Sequence, residues 1–223
     1  MSRSDTHPPE EICEAAMAVG NALARCEKYA LVGGSACAVL GSTRATEDVD
    51  LVVLRGGTAN ARRLLRESSD FEVQPRTNYT TYKAKNIEVE ILTPPTLFKE
   101  PFDHNTEIIT IEDAKVLKPA LLLNAKCGSI NGRSTETKKD TDAQDIGFLL
   151  DFCAENPDYL PKATEVPNAT KEFVGNHIHY YGGQEDWVRA GYNFETDTRV
   201  FPGELSIESV YKRSEMREVA QLD

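Results

Sequence analysis

The sequence predicts an α+β fold, with short strands between residues 29 and 111 and helices before, among and mainly after them. Three observations predict it. Tyr29 to Val32 is a compact apolar run that stops at Gly33-Gly34, as a buried strand stops at a tight turn. Asp48 and Asp50 alternate with Val49, Leu51 and Val53 in the period of two that marks a second strand. Apolar residues recur at helical spacing at both ends of this region: Ile12, Ala15, Ala16, Val19, Ala22, Leu23 and Cys26 after Pro8-Pro9, and Ala120 to Leu123 with Ala125 after Pro119. We expect a core over 1–111 and a mainly helical region over 112–223 packed on it.

The first helix is amphipathic and reads as a cover for the strands. After Gly33-Gly34, Ser35 sits where a helix would be capped, and residues 36–40 continue as a small helix. Backbone N–H groups at such a turn carry partial positive charge and suit phosphate oxygens, although an ordinary strand-to-helix corner looks the same in isolation. The next strand separates these cases. Residues two apart on a strand lie on one face, about 7 Å apart, so Asp48 and Asp50 can reach one metal site. Two acids opening so apolar a strand are costly to bury unless paired or bound to a cation. The plainer alternative is a solvated strand end whose carboxylates bond turn amides.

Residues 59–66 then read as a helix whose Arg62, Arg63 and Arg66 form a solvated face. Segments 71–73, 79–84 and 87–92 read as short antiparallel strands. In the last of these, Glu88 and Glu90 share one face, and each could supply a third acid if it lies beside the Asp48 strand. Past Pro94-Pro95 come a loop over 98–104 and a short strand over 107–111. The helix from Pro119 carries Lys126, read either as a ligand contact or as a surface lysine. A further helix over 141–154 has the stripe Ile146, Leu149, Leu150 and Cys153. It also places Asp142 and Asp145 one turn apart, ready to pair with Arg133 or Lys126.

Near the end, Asn176-His-Ile-His-Tyr-Tyr-Gly-Gly183 reads as a possible strand with His177 and His179 on one face, spaced for a metal but with no third ligand nearby. Trp187, Tyr192 and Phe194 either close over an acceptor or dock on the core. Asn168-Ala-Thr170 matches a glycosylation acceptor without a secretory signal beside it, and residues 206–223 are highly charged, a frayed or exposed helical end.

Composition narrows the function. Net charge is −11, against the basic excess of a groove that tracks nucleic acid, and it suits a cationic or neutral small acceptor. Five cysteines without a C-x-x-C pair argue against a disulfide framework or a zinc ribbon. No apolar run approaches the ~20 residues of a membrane helix and the polar start is not a secretory signal, so a cytoplasmic setting is expected. A P-loop would need Gly-Lys-Ser/Thr, and a dinucleotide fold G-x-G-x-x-G; neither is present.

Taken together, Val32-Gly-Gly-Ser35, twelve residues, Asp48-Val-Asp50, and a later strand carrying an acid before a turn resemble the nucleotidyltransferase superfamily with the DNA polymerase β-like fold. Arg44-Ala-Thr-Glu-Asp-Val-Asp50 is similar to its toxin-type and antibiotic-modifying branches. The resemblance covers about residues 29–92, with weaker echoes to about 152. It implies a mixed sheet flanked by helices, and two Mg²⁺ ions held by Asp48, Asp50 and Glu90, with Glu88 in reserve. The family position of Glu90 is more often Asp. The triphosphate would lie on Gly33, Gly34 and Ser35, with Arg44 and Lys126 as further contacts. The expected reaction moves a nucleoside monophosphate from a nucleoside triphosphate, such as ATP, to a hydroxyl or amine of a small molecule. Transfer to tRNA or protein, and a degenerate binding protein that keeps the fold without catalysis, are the alternatives.

Overall fold

The computed structural model describes residues 6–195. Its strands are β1 (Tyr29–Val32), β2 (Asp48–Val53), β3 (Phe71–Val73), β4 (Thr80–Tyr82), β5 (Ile87–Leu92), β6 (Ile108–Ile111) and β7 (Ala114–Leu117). They form one mixed sheet in the order β3-β4-β5-β2-β1-β7-β6. The helices are α1 (Pro9–Ala22), α2 (Gly33–Val39), α3 (Thr58–Glu67), α4 (Pro119–Ile130), α5 (Glu136–Glu155), α6 (Lys171–Tyr181) and α7 (Gln184–Arg189), with a 3-10 turn at Pro157–Tyr159.

β1 and β2, at the middle of the sheet, are largely buried. All four residues of β1 are buried, as are Val49, Leu51, Val52 and Val53 of β2. β1 runs antiparallel to β2 and parallel to β7, while β2 runs parallel to β5. The outer pairs β3–β4 and β6–β7 are antiparallel. Helix α1 buries Ile12, Ala15, Ala16 and Val19 and packs on α2, β7 and β2, so the amphipathic pattern after Pro8-Pro9 forms the cover it suggests. Helix α3 packs on β3 and β5, and α4 packs along α5. The sheet takes its seventh strand, β7, from just beyond residue 111, and the chain past it is helical to the end of the described residues.

Three local expectations are corrected. Ser35 does not cap α2: Val32 holds that position, and the Ser35 hydroxyl lies inside the first turn, donating to the Val32 carbonyl at 3.0 Å and accepting from the Asp50 amide at 3.1 Å. The hydroxyl thus ties the turn to β2. Second, residues 176–181 are not a strand but the end of α6, capped by the Thr170 hydroxyl at the Phe173 amide. The i, i+2 histidines imitate a strand, yet Phe173, Val174, His177 and Ile178 recur at helical spacing, and that longer period decides. His177 turns inward and His179 outward, so they do not share a metal site. Third, α5 starts at Glu136, earlier than its apolar stripe begins, because Thr135 accepts from the Lys138 amide at its N-cap.

Of the three late aromatics, Trp187 and Tyr192 dock on the core at 0% and 3% exposure, with Phe194 packed against it. Residues 206–223 lie outside the described residues. Among those described, no helix is long and apolar enough to cross a membrane.

Candidate active site

The site begins at the join of β1 and β2. Val32, the last residue of β1, pairs with Asp50, so the chain must turn directly beside that carboxylate. Gly33 makes the turn at φ +64°, and the space a side chain would take there is filled by Asp50 Oδ2. At Gly34 the same space is filled by the Arg44 guanidinium and the Thr46 hydroxyl, each 2.6 Å from where a Cβ would lie. The glycines therefore let one backbone turn pass between an acid and a cation.

Register places the acids. In the parallel β2–β5 pair, Asp48 lies opposite Glu88 and Asp50 opposite Glu90, so all four side chains share one face of the sheet. Asp48, Asp50 and Glu90 offer oxygens that all lie within 4.8 Å of one another. Glu88, one step back beside Asp48, is outside this group and faces Tyr79.

Burial, followed by the charges of Asp48 and Glu90, pushes the Asp50 carboxyl up to about 8. Burial and then Glu90 raise Asp48 as well, and burial followed by Glu88 raises Glu90. None of the three carboxylates accepts a hydrogen bond or pairs with a cation among the described residues. Three mutually repelling acids with unengaged lone pairs and only oxygen donors are the donor set a hard divalent cation takes, so this group could hold a metal.

Across the cleft stands a chain of alternating charges. Arg44 donates twice to Asp145, from Nε at 2.8 Å and from a terminal nitrogen at 2.9 Å. Lys126 Nζ lies 2.7 Å from both Asp145 and Asp142. Arg133 and the Ser129 hydroxyl complete the shell of Asp142. Burial works to discharge Lys126, but Asp145 and Asp142 more than offset it and hold the ammonium above its usual value. Burial acts on Asp142 in the opposite sense to Arg133 and Lys126, which prevail and keep it ionised below the usual carboxylate range. Three cations share two carboxylates, so the wall keeps one net positive charge. Lys126 is not a surface lysine: it is 7% exposed.

The pairing of Asp142 with Lys126 and Arg133 was legible from their spacing; the grip of Asp145 on Arg44 was not. These two residues are 101 positions apart, and nothing local in either segment announces the contact. Lys138, from the first turn of α5, also lines the cleft and has no ion-pair partner among the described residues. Its charge acts on both Asp48 and Glu90.

The cleft between the two walls measures about 780 Å³ and is lined by Gly33, Gly34, Arg44, the three acids and Lys126. Ser35 stands behind the turn rather than on the lining. Gly33, Gly34, Arg44, Asp48, Asp50, Glu90 and Lys126 thus line one cleft, with Ser35 behind the turn and Glu88 outside the lining.

No protein-family model matches the chain, and no curated protein matches its sequence. Solved structures do match. An antigenic nucleotidyltransferase-like protein from Paracoccidioides brasiliensis is 23% identical and aligns over 83% of this chain and 94% of its own, with a TM-score of 0.60. The protein JHP933 from Helicobacter pylori is 17% identical, with 95% of this chain and 96% of that one covered, at a TM-score of 0.43. The chain has a nucleotidyltransferase-like fold: its described residues form a mixed seven-stranded sheet flanked by seven helices, with a three-carboxylate group on two adjacent parallel strands.

Proposed function

We propose that the protein is a Mg²⁺-dependent nucleotidyltransferase that moves a nucleoside monophosphate from a nucleoside triphosphate to a hydroxyl or amine of a small molecule. The observation that carries this is the unpartnered group Asp48, Asp50 and Glu90 facing a cation-rich wall across one cleft. Two Mg²⁺ ions held by the three carboxylates would neutralise phosphate charge and lower the pKa of the acceptor hydroxyl.

The chain's own residues do the rest. Gly33 and Gly34 bring bare backbone to the triphosphate, and Arg44, Lys126 and Lys138 supply positive charge opposite its oxygens. Arg44 and Lys126 are held rigid by Asp145, so their charge is in place before substrate arrives. The acceptor oxygen attacks the α-phosphorus, the bond from that phosphorus to the β-bridging oxygen breaks, and pyrophosphate leaves. The acceptor proton passes to Glu90, the most exposed of the three acids.

A small acceptor accords with a cleft of mixed charge on a chain of net charge −11, and we place tRNA or protein acceptors second. A cytoplasmic setting accords with five free cysteines.

The test is calorimetric titration with each nucleoside triphosphate, ATP first, with and without Mg²⁺, on the native protein and on the Asp48→Asn, Asp50→Asn double variant. Metal-dependent binding lost in the variant supports the site. Binding that needs neither metal nor these acids selects the non-catalytic nucleotide-binding alternative, and absence of binding to any triphosphate overturns the proposal.

A further inference from the structure

The two sides of the cleft differ in charge, and α4 divides them. Ala125 and Ser129 face the opening. At about 100° per residue, Lys126 falls to one side of that line and Asn124 and Gly128 to the other. On the Lys126 side stand Arg44, Arg133 and Lys138. On the Gly128 side stands Glu100, from the segment that follows β5, together with Leu97.

Glu100 is held unusually firmly for a half-buried loop carboxylate. Asn124 Nδ2 donates to one of its oxygens at 2.7 Å and Asn168 Nδ2 to the other at 2.9 Å. The orientation of both amides follows from their other bonds. Asn124 Oδ1 accepts from the Asn168 backbone amide at 2.8 Å, so its nitrogen must face Glu100. Asn168 Nδ2 also donates to the Asn124 carbonyl at 3.1 Å. Gly128 is required for this arrangement, because a Cβ there would lie 2.6 Å from Asn168 Nδ2 and 3.2 Å from Glu100 Oε1.

An ionised carboxylate has about four lone-pair positions, and the two amides occupy two. What remains on the cleft side can only accept. The neighbouring lining is largely apolar or bare: Leu92, Leu122 and Ala125, the unsubstituted Gly128, and Leu97, which is 63% exposed, with Lys99 as the charged exception, its Nζ donating to the Thr96 carbonyl. That surface suits the face of a planar ring. Phosphates would be drawn to the wall of Arg44, Lys126 and Arg133, which leaves this end for the base.

Building on the triphosphate reading above, we propose that Glu100 determines donor specificity: clamped by Asn124 and Asn168, it accepts a hydrogen bond from the exocyclic amino group of the nucleobase. Triphosphates whose base carries that amino group are selected, and those with a carbonyl or hydrogen in its place are rejected, because a keto oxygen would face a carboxylate that has no proton to offer.

The test pairs nucleotides that differ at that group: CTP with UTP, and ATP and GTP with inosine triphosphate, each titrated calorimetrically with Mg²⁺. In the native protein the best-bound amino-bearing triphosphate should bind about 10–100-fold more tightly than its partner, the range of one hydrogen bond to a charged group. In Glu100→Gln the ratio should collapse toward one while metal-dependent binding persists. Gly128→Ala, which leaves the carboxylate but displaces it, should narrow the ratio too. Thermal unfolding of each variant verifies that it is folded; Glu100→Gln keeps an acceptor for one of the two amides.

UTP or inosine triphosphate binding as tightly as any amino-bearing nucleotide, or an unchanged ratio in folded Glu100→Gln, would overturn the assignment of Glu100 alone. No binding of any triphosphate would instead remove the donor reading on which it stands.

Discussion

Asp145 is fully buried, and it pairs with two cations at once, Arg44 and Lys126. Removing it leaves Arg44 without its ion-pair partner among the described residues and Lys126 with Asp142 alone. Breaking a buried pair by deleting one partner typically costs about 3–5 kcal/mol. Asp145→Ala should lose stability on that order in urea unfolding, and triphosphate affinity with it. Asp50 behaves in the opposite way. It is buried and crowded by like charges that the more distant Lys126 and Arg133 do not outweigh, so Asp50→Asn should unfold at a higher temperature than the native protein when divalent ions are absent. A gain of ~1 kcal/mol would be roughly 2–4 °C for a chain of this size. Added Mg²⁺ should stabilise the native protein and not the variant. A lower melting temperature for Asp50→Asn without metal would refute the picture of a strained, cation-awaiting group.

At the level of elements, α6 shows how a helix can hide a titrating group. His177 is 6% exposed, packed among Phe173, Tyr181 and Trp187, and its Nδ1 accepts from Trp187 Nε1 at 3.4 Å. Nε2, which then carries the proton, is buried with no hydrogen-bond partner among the described residues. Burial lowers the His177 pKa to about 4. The unfolded chain binds a proton near 6.5, whereas the folded chain refuses it until about 4. This contribution to stability is therefore complete above pH 6.5 and is lost as pH falls toward 4, by up to about 3 kcal/mol. The difference in unfolding free energy between the native protein and His177→Gln, followed from pH 7.5 to 4, should shrink by that order. A pH-independent difference would mean the imidazole is not held neutral.

Across the whole molecule, function depends on a sheet assembled from distant parts of the chain. β1 carries the glycine turn, β2 and β5 carry the acids, and β7, from residues 114–117, lies on the other side of β1. A fragment ending at residue 111 would leave β1, whose four residues are all buried, as an edge strand paired only with β2. It would also lack α4 and α5, which supply Lys126, Asp142 and Asp145. We expect that fragment to show no cooperative unfolding transition by circular dichroism, where the full chain shows one. A cooperative transition in the fragment would show that 1–111 folds alone. Charge is also distributed at this scale: a chain of net −11 collects Arg44, Lys126, Arg133 and Lys138 in one cleft. Lys138 has no ion-pair partner among the described residues, so triphosphate affinity should fall as ionic strength rises.

Short-range patterns were enough to locate the turn at Gly33-Gly34, the acids of β2, the paired choice of Glu88 or Glu90 and the amphipathic cover of α1. In each case the signal lies within a few residues, in a period of two or of 3.6 or in a glycine pair, and it is local because backbone geometry is local. The histidines of α6 misled because a spacing of two is too short a window to separate strand from helix. The tertiary structure alone decided the rest. Strand register set Glu90 against Asp50, a contact 101 residues long joined Arg44 to Asp145, and Asn124 and Asn168 closed on Glu100. Such choices depend on which distant surfaces the core brings together, and burial energy, unlike backbone geometry, is a property of the whole packed chain.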